Sequence, residues 1–395
     1  ADGRELFYFD DSPAYVSGEK TRELHDPRPL HARDLTQIPQ MRRDPLTGEW
    51  IACATARMDR TFLPPADANP LAPAKPGATY QDGEIPATDY DVVVFENRFP
   101  SLLGAGNDLP LPPTPSAHPA TDDVVAGRMQ TANGDDLFLS APAAGRCEVI
   151  CFGPNLSDTL AHMSVRRMRT VIAAWADRTA QLGAMDGVRQ VFCFENHGEA
   201  IGVTLHHPHG QIYAYPFTPP RTRALLAQAT HYRKRTGRQL YGDVLEAELR
   251  VGTRIIAESD HWVVYVPYAA KWPVQAHLAP RRNVADLAEL TDAERADLAP
   301  MYLQLLRAGN HFFDPNQPMH LPYIAAWNQS VIGDGRDDLR LHLDYFSIVR
   351  SPGKLKYLAG SESAMGAWIS DTTPDLIAER FQEAFAAVGP VQEEK

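Results

Sequence analysis

Nowhere in this chain do about eighteen apolar residues follow one another, so no membrane-crossing helix is expected. Cysteine is scarce. Cys53, Cys147, Cys151 and Cys193 are the four thiols in 395 residues, and no two of them make Cys-x-x-Cys. That spacing argues against a disulfide scaffold or a thiolate metal cluster, and a reducing cytoplasm is the simplest setting. Excess positive charge is missing too. A formal charge of −12 argues against a nucleic-acid scaffold, and an anionic ligand must be met by local Arg and Lys. Residues 1–11 are acidic and polar, without the layout of a signal peptide. With 44% hydrophobic and 22% charged residues, the chain reads as an ordinary globular protein of two or three domains.

What is present concentrates in one stretch. Phe194, Glu195 and Asn196 lead into Gly202, Val203 and Thr204, then His206, His207, Pro208, His209, Gly210 and Gln211. In an extended segment side chains alternate, so His207, His209 and Gln211 are expected on one face. His206, Pro208, Gly210 and Ile212 are expected on the other. Pro208 removes a backbone donor, and Gly210 permits close approach. A single strand histidine is ordinarily a hydrogen-bonded structural residue, and a His-x-His pair can also ligate a metal. Neither reading accounts for Gly and Gln at fixed offsets. An imidazole beside a carboxamide suits a reacting phosphate, with His209 as nucleophile and Gln211 as donor to a phosphoryl oxygen.

The rest of the chain falls into an extension over residues 1–40 and two halves, 41–220 and 221–395, with the ordered core starting at Met41. Asp44–Gly48 reads as a turn and Trp50–Ala54 as a short strand leading to Arg57 and Arg60. Asp91–Glu96 reads as a strand ending at Asn97 and Arg98. Leu109–Pro119, with five prolines, and Gly127–Asp136 read as a surface insertion. Ser164 caps a helix to about Leu182, with Val165, Met168, Val171, Ile172 and Trp175 inward and Arg166, Arg167 and Arg169 outward. A helical linker is expected over 222–257, and Thr291 with Glu294 forms a capping box. His261–Pro267 echoes the Cys147 strand, Tyr323–Asn328 the Phe194 strand, and Arg340–Tyr345 the His-Pro-His strand. Residues after Pro374 form a terminal helix. The expected class is α+β, with antiparallel sheet halves packed with helices.

The Phe-Glu-Asn, Gly, Thr and His-Pro-His-Gly-Gln pattern resembles the active-site motif of the galactose-1-phosphate uridylyltransferase family, within the histidine-triad superfamily. The resemblance runs from about Asp44 to about Arg380. It implies a histidine-triad-like fold duplicated in one chain and a cytoplasmic homodimer with shared active sites. It implies UMP transfer between UDP-glucose and galactose 1-phosphate, through a uridylyl-histidine on His209, giving UDP-galactose and glucose 1-phosphate. It assigns the His207 backbone carbonyl as acceptor for His209, and Arg57 and Arg60 to phosphate. Asn97, Arg98, Asn196, Gly202, Val203 and Thr204 fall at the nucleotide. Lys356, Tyr357, Ser361 and Glu362 fall at the hexose, across the subunit interface.

Metals are where the chain departs from the pattern. The zinc site of relatives needs two Cys and a His beside His207; Asn69, Ala72 and Leu156 stand there. Their iron site corresponds to Leu225, Asn328, His342 and Asp344. Two such ligands of four are too few, and no metal cofactor is expected. Two rival readings are a related nucleotide phosphorylase or adenylyl hydrolase, and a non-catalytic sugar-nucleotide binder. Gln211 and the Phe194–Asn196 lead-in oppose the first, and the intact His209 opposes the second.

Overall fold

The computed structural model describes residues 2–26, 28, 39–59, 64–65, 69–74, 83–104, 130–132 and 135–393. These form one ten-stranded sheet in which every neighbouring pair is antiparallel. In spatial order the strands are Leu6–Phe9, Val92–Glu96, Arg146–Cys151, His209–Tyr215, Gln190–His197, Tyr323–Asn328, His342–Ser347, Val274–Pro280, Trp262–Tyr265 and Ile255–Glu258. The α+β class and the antiparallel sheet are as expected. The two halves are not separate sheets, however. They join edge to edge where Gln190–His197 pairs with Tyr323–Asn328, Cys193 opposite Trp327 and Asn196 opposite Ile324.

The order reads symmetrically outward from that seam, so one strand-strand-helix-strand-strand plan occurs twice. This shifts one echo. The strand in the place of Arg146–Cys151 is Val274–Pro280, and Trp262–Tyr265 takes the place of Val92–Glu96. Val274–Pro280 escapes a pattern search because Gln275 and His277 interrupt its apolar run, yet it is a buried central strand. The expected linker helix is two helices, Pro220–Thr236 and Leu240–Val251, broken at left-handed Gly237 with φ 71°. Residues 255–258 are already strand.

Two long helices lie side by side on one face of the sheet. Val165–Gly183 is capped by Ser164, whose side chain accepts from the Arg167 N–H. Asp292–His311 has the expected capping box of Thr291 and Glu294. Between helices and sheet, Trp175, Tyr302, Trp262 and Trp327 form one aromatic knot, with ring centroids 5.9–6.2 Å apart. All four are essentially fully buried. Removing Trp175 would cost about 3–5 kcal/mol.

Arg167 does not point outward as its spacing suggested. It forks onto Asp11 (2.5 Å) and Asp91 (2.6 Å). Ordered structure therefore begins before Met41, since Leu6–Phe9 is an edge strand on Val92–Glu96. A smaller four-stranded sheet, ordered Trp50–Cys53, Gln40–Arg43, Asp135–Pro142 and Gln130–Ala132, carries the Trp50 strand. Of the expected insertion, 109–129 and 133–134 lie outside the described residues, as do 29–38 of the extension. Among the described residues no helix is long and apolar enough to cross a membrane. The four cysteines are free thiols.

Candidate functional site

The face of the sheet away from the long helices carries the candidate centre. The strand His209–Tyr215 alternates as strands must. Gly210, Ile212 and Ala214 are buried, while His209, Gln211, Tyr213 and Tyr215 are half-buried on the open face. Gly210 has a steric reason. A Cβ there would lie 2.8 Å from the Phe194 carbonyl oxygen and 2.9 Å from the Phe152 ring. Any side chain would push the strand away from its neighbours.

His207 does not share that face, because the strand starts only at His209. Its N–H donates to the Leu205 carbonyl at 3.0 Å, a tight turn that swings the imidazole inward. His207 is 5% exposed, and its Nε2 lies 2.9 Å from the Gly153 carbonyl and 2.7 Å from the Tyr90 hydroxyl. His206 goes outward instead, 3.1 Å from the Glu199 carboxylate.

His209 Nδ1 lies 2.7 Å from the carbonyl oxygen of His207. A carbonyl can only accept, so Nδ1 carries the hydrogen and Nε2 is left with its lone pair. Burial pushes the His209 imidazole below the ordinary histidine range, and the bond to His207 opposes that only in part. The ring is neutral at pH 7. Burial, with His209 close by, brings His207 down to about 4.

Gln211 is oriented from one side. The Tyr213 hydroxyl donates to its Oε1 at 2.9 Å, so Nε2 is the end left to donate. Tyr213 stands edge-on to Phe194 at 5.2 Å. Burial raises the Tyr213 phenol, and the nearby Arg57 guanidinium partly offsets this. Arg57 sits in a short 3-10 turn, Thr55–Asp59, and donates to the Phe99 carbonyl at 3.3 Å. Arg60 lies outside the described residues.

Asn97 follows directly after Val92–Glu96. Its N–H donates to the Cys147 carbonyl (2.9 Å) and its Oδ1 accepts from the Phe99 N–H (2.8 Å), which fixes the turn presenting Arg98. Arg98 covers the Phe99 ring at 5.8 Å. Asn196 lies near the end of Gln190–His197. Beyond it Gly202, left-handed at φ 86°, closes the short 3-10 turn Glu199–Ile201 and turns the chain into Val203 and Thr204.

The other predicted group is elsewhere. Lys356 is buried with its Nζ 2.8 Å from Glu362 Oε1 and 2.7 Å from the Ile369 carbonyl. Tyr357 is exposed, and Ser361 Oγ donates to the Ala367 carbonyl at 3.0 Å. Among the described residues no hydrogen bond or ion pair joins these four to the His209 strand of the same chain.

The metal positions can be tested directly. Asn69 is buried with its Oδ1 accepting from the Leu71 N–H at 2.9 Å, and Ala72 and Leu156 offer no donor. His207 spends Nε2 on Tyr90 and Gly153, while its Nδ1 is buried without a hydrogen-bond partner. One nitrogen does not make a four-ligand site. The iron positions Leu225, Asn328 and His342 do line one small cavity. Asp344, however, is taken up by Arg221 (2.9 Å) and Gln275 (2.9 Å). Among the described residues no three His, Cys, Asp or Glu side chains converge as metal ligands. The described residues at these positions fit neither metal.

Sequence reasoning missed Tyr90, Gly153 and Tyr213. Tyr213 was findable, because two residues after Gln211 means the same strand face. Nothing local marks Tyr90, which reaches His207 across 117 residues.

Comparison with known proteins gives a consistent picture. Residues 28–219 match the model of the galactose-1-phosphate uridyl transferase N-terminal domain, and residues 226–384 match that of its C-terminal domain. The galactose-1-phosphate uridylyltransferase of Streptomyces lividans is 39% identical, over 97% of this chain and 96% of its own. That of Rattus norvegicus is 33% identical, over 87% and 86%. A solved uridylyltransferase structure superposes with a TM-score of 0.71 at 30% identity, covering 88% of this chain and 98% of that one.

Proposed function

The chain belongs to the galactose-1-phosphate uridylyltransferase family, and from that premise we propose that it moves UMP between UDP-glucose and galactose 1-phosphate by double displacement on His209. His209 Nε2 attacks the α-phosphorus of UDP-glucose. The bond from that phosphorus to the bridging oxygen breaks, and glucose 1-phosphate leaves with the electron pair. A phosphate oxygen of galactose 1-phosphate then attacks the uridylyl-histidine. UDP-galactose forms and Nε2 regains its lone pair.

One observation carries this reading: the 2.7 Å contact from His209 Nδ1 to the His207 carbonyl, which fixes the tautomer a nucleophile needs. Gln211 Nε2 donates to a non-bridging oxygen as charge grows there. A neutral carboxamide cannot take a proton from water, so the adduct waits for a sugar phosphate. Arg57 and Arg60 meet phosphate as planar cations. Asn97, Arg98, Asn196, Gly202, Val203 and Thr204 hold the nucleotide.

Lys356, Tyr357, Ser361 and Glu362 serve the hexose of a second copy's site, in a homodimer. Their separation from the His209 strand within one chain supports that arrangement. Residues 41–220 are the catalytic half, 221–395 the supporting half, and 1–40 an extension whose first strand reinforces the catalytic half. The enzyme needs neither zinc nor iron.

The test of the reaction is exchange. The protein is incubated with UDP-glucose and galactose 1-phosphate, and the sugar nucleotides are resolved. UDP-galactose should appear with an equal amount of glucose 1-phosphate. Nucleotide release that does not depend on the sugar phosphate would point to a phosphorylase or hydrolase instead.

A further inference from the structure

Tyr90 sits two residues ahead of the strand Val92–Glu96 and is 3% exposed, in a small apolar cluster with Leu71, Ile85 and Val149. Around its hydroxyl lie His207 Nε2 at 2.7 Å, the Gly153 carbonyl at 2.9 Å and the Leu71 carbonyl at 3.2 Å, with the Cys151 thiol also against it. The Gly153 oxygen also lies 2.9 Å from His207 Nε2 and can only accept, so Nε2 carries its hydrogen. Tyr90 Oη shares that N–H with the Gly153 oxygen as a second acceptor, and donates its own hydrogen to the Leu71 or the Gly153 carbonyl.

Tyr90 itself cannot drift. The next residue, Asp91, accepts from the N–H groups of Asp11 (2.9 Å) and Ser12 (2.8 Å) and pairs with Arg167 at 2.6 Å. The backbone it acts on is pinned on both sides. His207 N–H reaches the Leu205 carbonyl at 3.0 Å, and the Pro208 carbonyl accepts from Phe152 N–H at 2.9 Å. The imidazole of His207 is held by Tyr90 together with the Gly153 carbonyl. Between those pins lies the carbonyl that orients His209.

We propose that Tyr90 is the positioning residue of this centre: its hydroxyl bridges His207 to a neighbouring backbone carbonyl, that of Gly153 or Leu71, and so helps hold the His207 carbonyl against His209 where a structural metal does not fit. The proposal rests on His209 being the nucleophile. A hydroxyl suits the place because it both donates and accepts, and so satisfies a ring N–H and a carbonyl that are buried together. Without it the turn relaxes and His209 divides between two tautomers, only one of which has Nε2 free.

The test compares Tyr90→Phe with Thr291→Ala, a lost helix cap far from the site, both in the full chain. Three quantities are read: the rate of uridylyl adduct formation from UDP-glucose, the KM for UDP-glucose, and the ¹⁵N histidine side-chain spectrum. Tyr90→Phe should slow adduct formation by about tenfold or more, as misplacement of a reacting group does. KM should stay within about threefold, because substrate contacts are intact. The Nδ1–H form of His209 should lose intensity to the Nε2–H form. Equal rates and equal spectra in Tyr90→Phe and Thr291→Ala would overturn the proposal.

Should Tyr90→Phe fail to fold, the unmutated protein decides: its His207 must show a slowly exchanging Nε2–H, and an Nδ1–H form would overturn the proposal. Zinc bound near one equivalent, with fold lost on chelation, would overturn it as well. If the unmutated protein forms no adduct, the functional reading fails, while the His207 spectrum still tests the tyrosine bridge.

Discussion

The strands beginning at His209 and at His342 occupy matching places on either side of the central seam, and each starts with a histidine held the same way. His209 Nδ1 meets the carbonyl two residues back at 2.7 Å; His342 Nδ1 meets that of Arg340 at 3.1 Å. Two residues further on they part. The first strand has Gln211, a neutral side chain tethered at one end by Tyr213. The second has Asp344, bonded to Arg221 and Gln275 and 3.5 Å from His277. His342 is covered by the Tyr241 ring at 4.6 Å and the His277 ring at 5.1 Å. Burial, with His277 adding to it, lowers His342 to about 3. The same backbone device thus serves two ends. On the proposed reaction, the polar groups of one copy keep a bonding position open for a substrate; in the other they bond to one another.

The sharpest way to break this contrast is to exchange the fates of the two histidines. His209→Gly should remove turnover by on the order of 10⁶, as loss of a nucleophile does, with the fold kept. His342→Gln should leave kcat within about threefold and lower only the melting temperature. Steady-state assays with melts on both variants check this. A large loss of kcat in His342→Gln would show that the second copy takes part in chemistry.

Next in size is Gln211. Gln211→His or Gln211→Arg should slow adduct formation by about 10²- to 10³-fold, the usual cost of an oxyanion donor. Rapid-quench mass spectrometry measures it. A normal rate would reduce Gln211 to a packing residue, as Asp344 is.

Asp344 should answer in stability. Burial opposes its charge, but His277, Arg221 and Gln275 outweigh that and hold the carboxyl well below its ordinary range. Asp344→Asn should cost about 1–3 kcal/mol at pH 7, since a buried charged hydrogen-bond acceptor is lost from Gln275, His277 and Arg221. Arg221 is 56% exposed, so water screens its share. A depressed carboxyl stabilises the fold above its unfolded pKa of about 3.9 and loses that contribution as pH falls toward the folded value. Denaturant titrations from pH 7 to 3 should show the gap to the Asn variant closing below about pH 4. A gap independent of pH would contradict the ionic account.

The last expected effect has the opposite sign. Glu195, next to Asn196, is 2% exposed, and burial raises its carboxyl to about 8, against the Tyr323 hydroxyl 2.9 Å away. A raised carboxyl favours the fold below its unfolded pKa of about 4.3 and loses that as pH rises through the folded value. Glu195→Gln should therefore flatten the decline in stability between pH 5 and pH 8. Parallel declines in both proteins would show that Glu195 is charged in the fold.

Much of this was legible in the chain. The Phe194–Gln211 stretch gave itself away because chemistry and backbone demands coincide within eighteen residues. The Ser164 and Thr291 caps were legible for the same reason: a cap and its partner lie three residues apart. What stayed hidden depends on distance along the chain. Tyr90 and His207, Arg167 and Asp11, and Arg178 and Glu148 are far apart in sequence and adjacent only in the folded sheet. The inward turn of His207 also lay beyond alternation, because the strand it was assigned to begins two residues later. Val274–Pro280 was obscured by Gln275 and His277, polar groups that a pattern search reads as exposed but that Asp344 pairs with in the interior.

The central claim is that one histidine of the matched pair is a nucleophile and the other is packing. Weighing the intact chain after mixing with UDP-glucose tests it most directly. The account predicts a mass gain of one uridylyl group, carried by the peptide containing His209, lost on adding galactose 1-phosphate and absent from His209→Gly. No mass gain, or a uridylyl group found on His342, would contradict it.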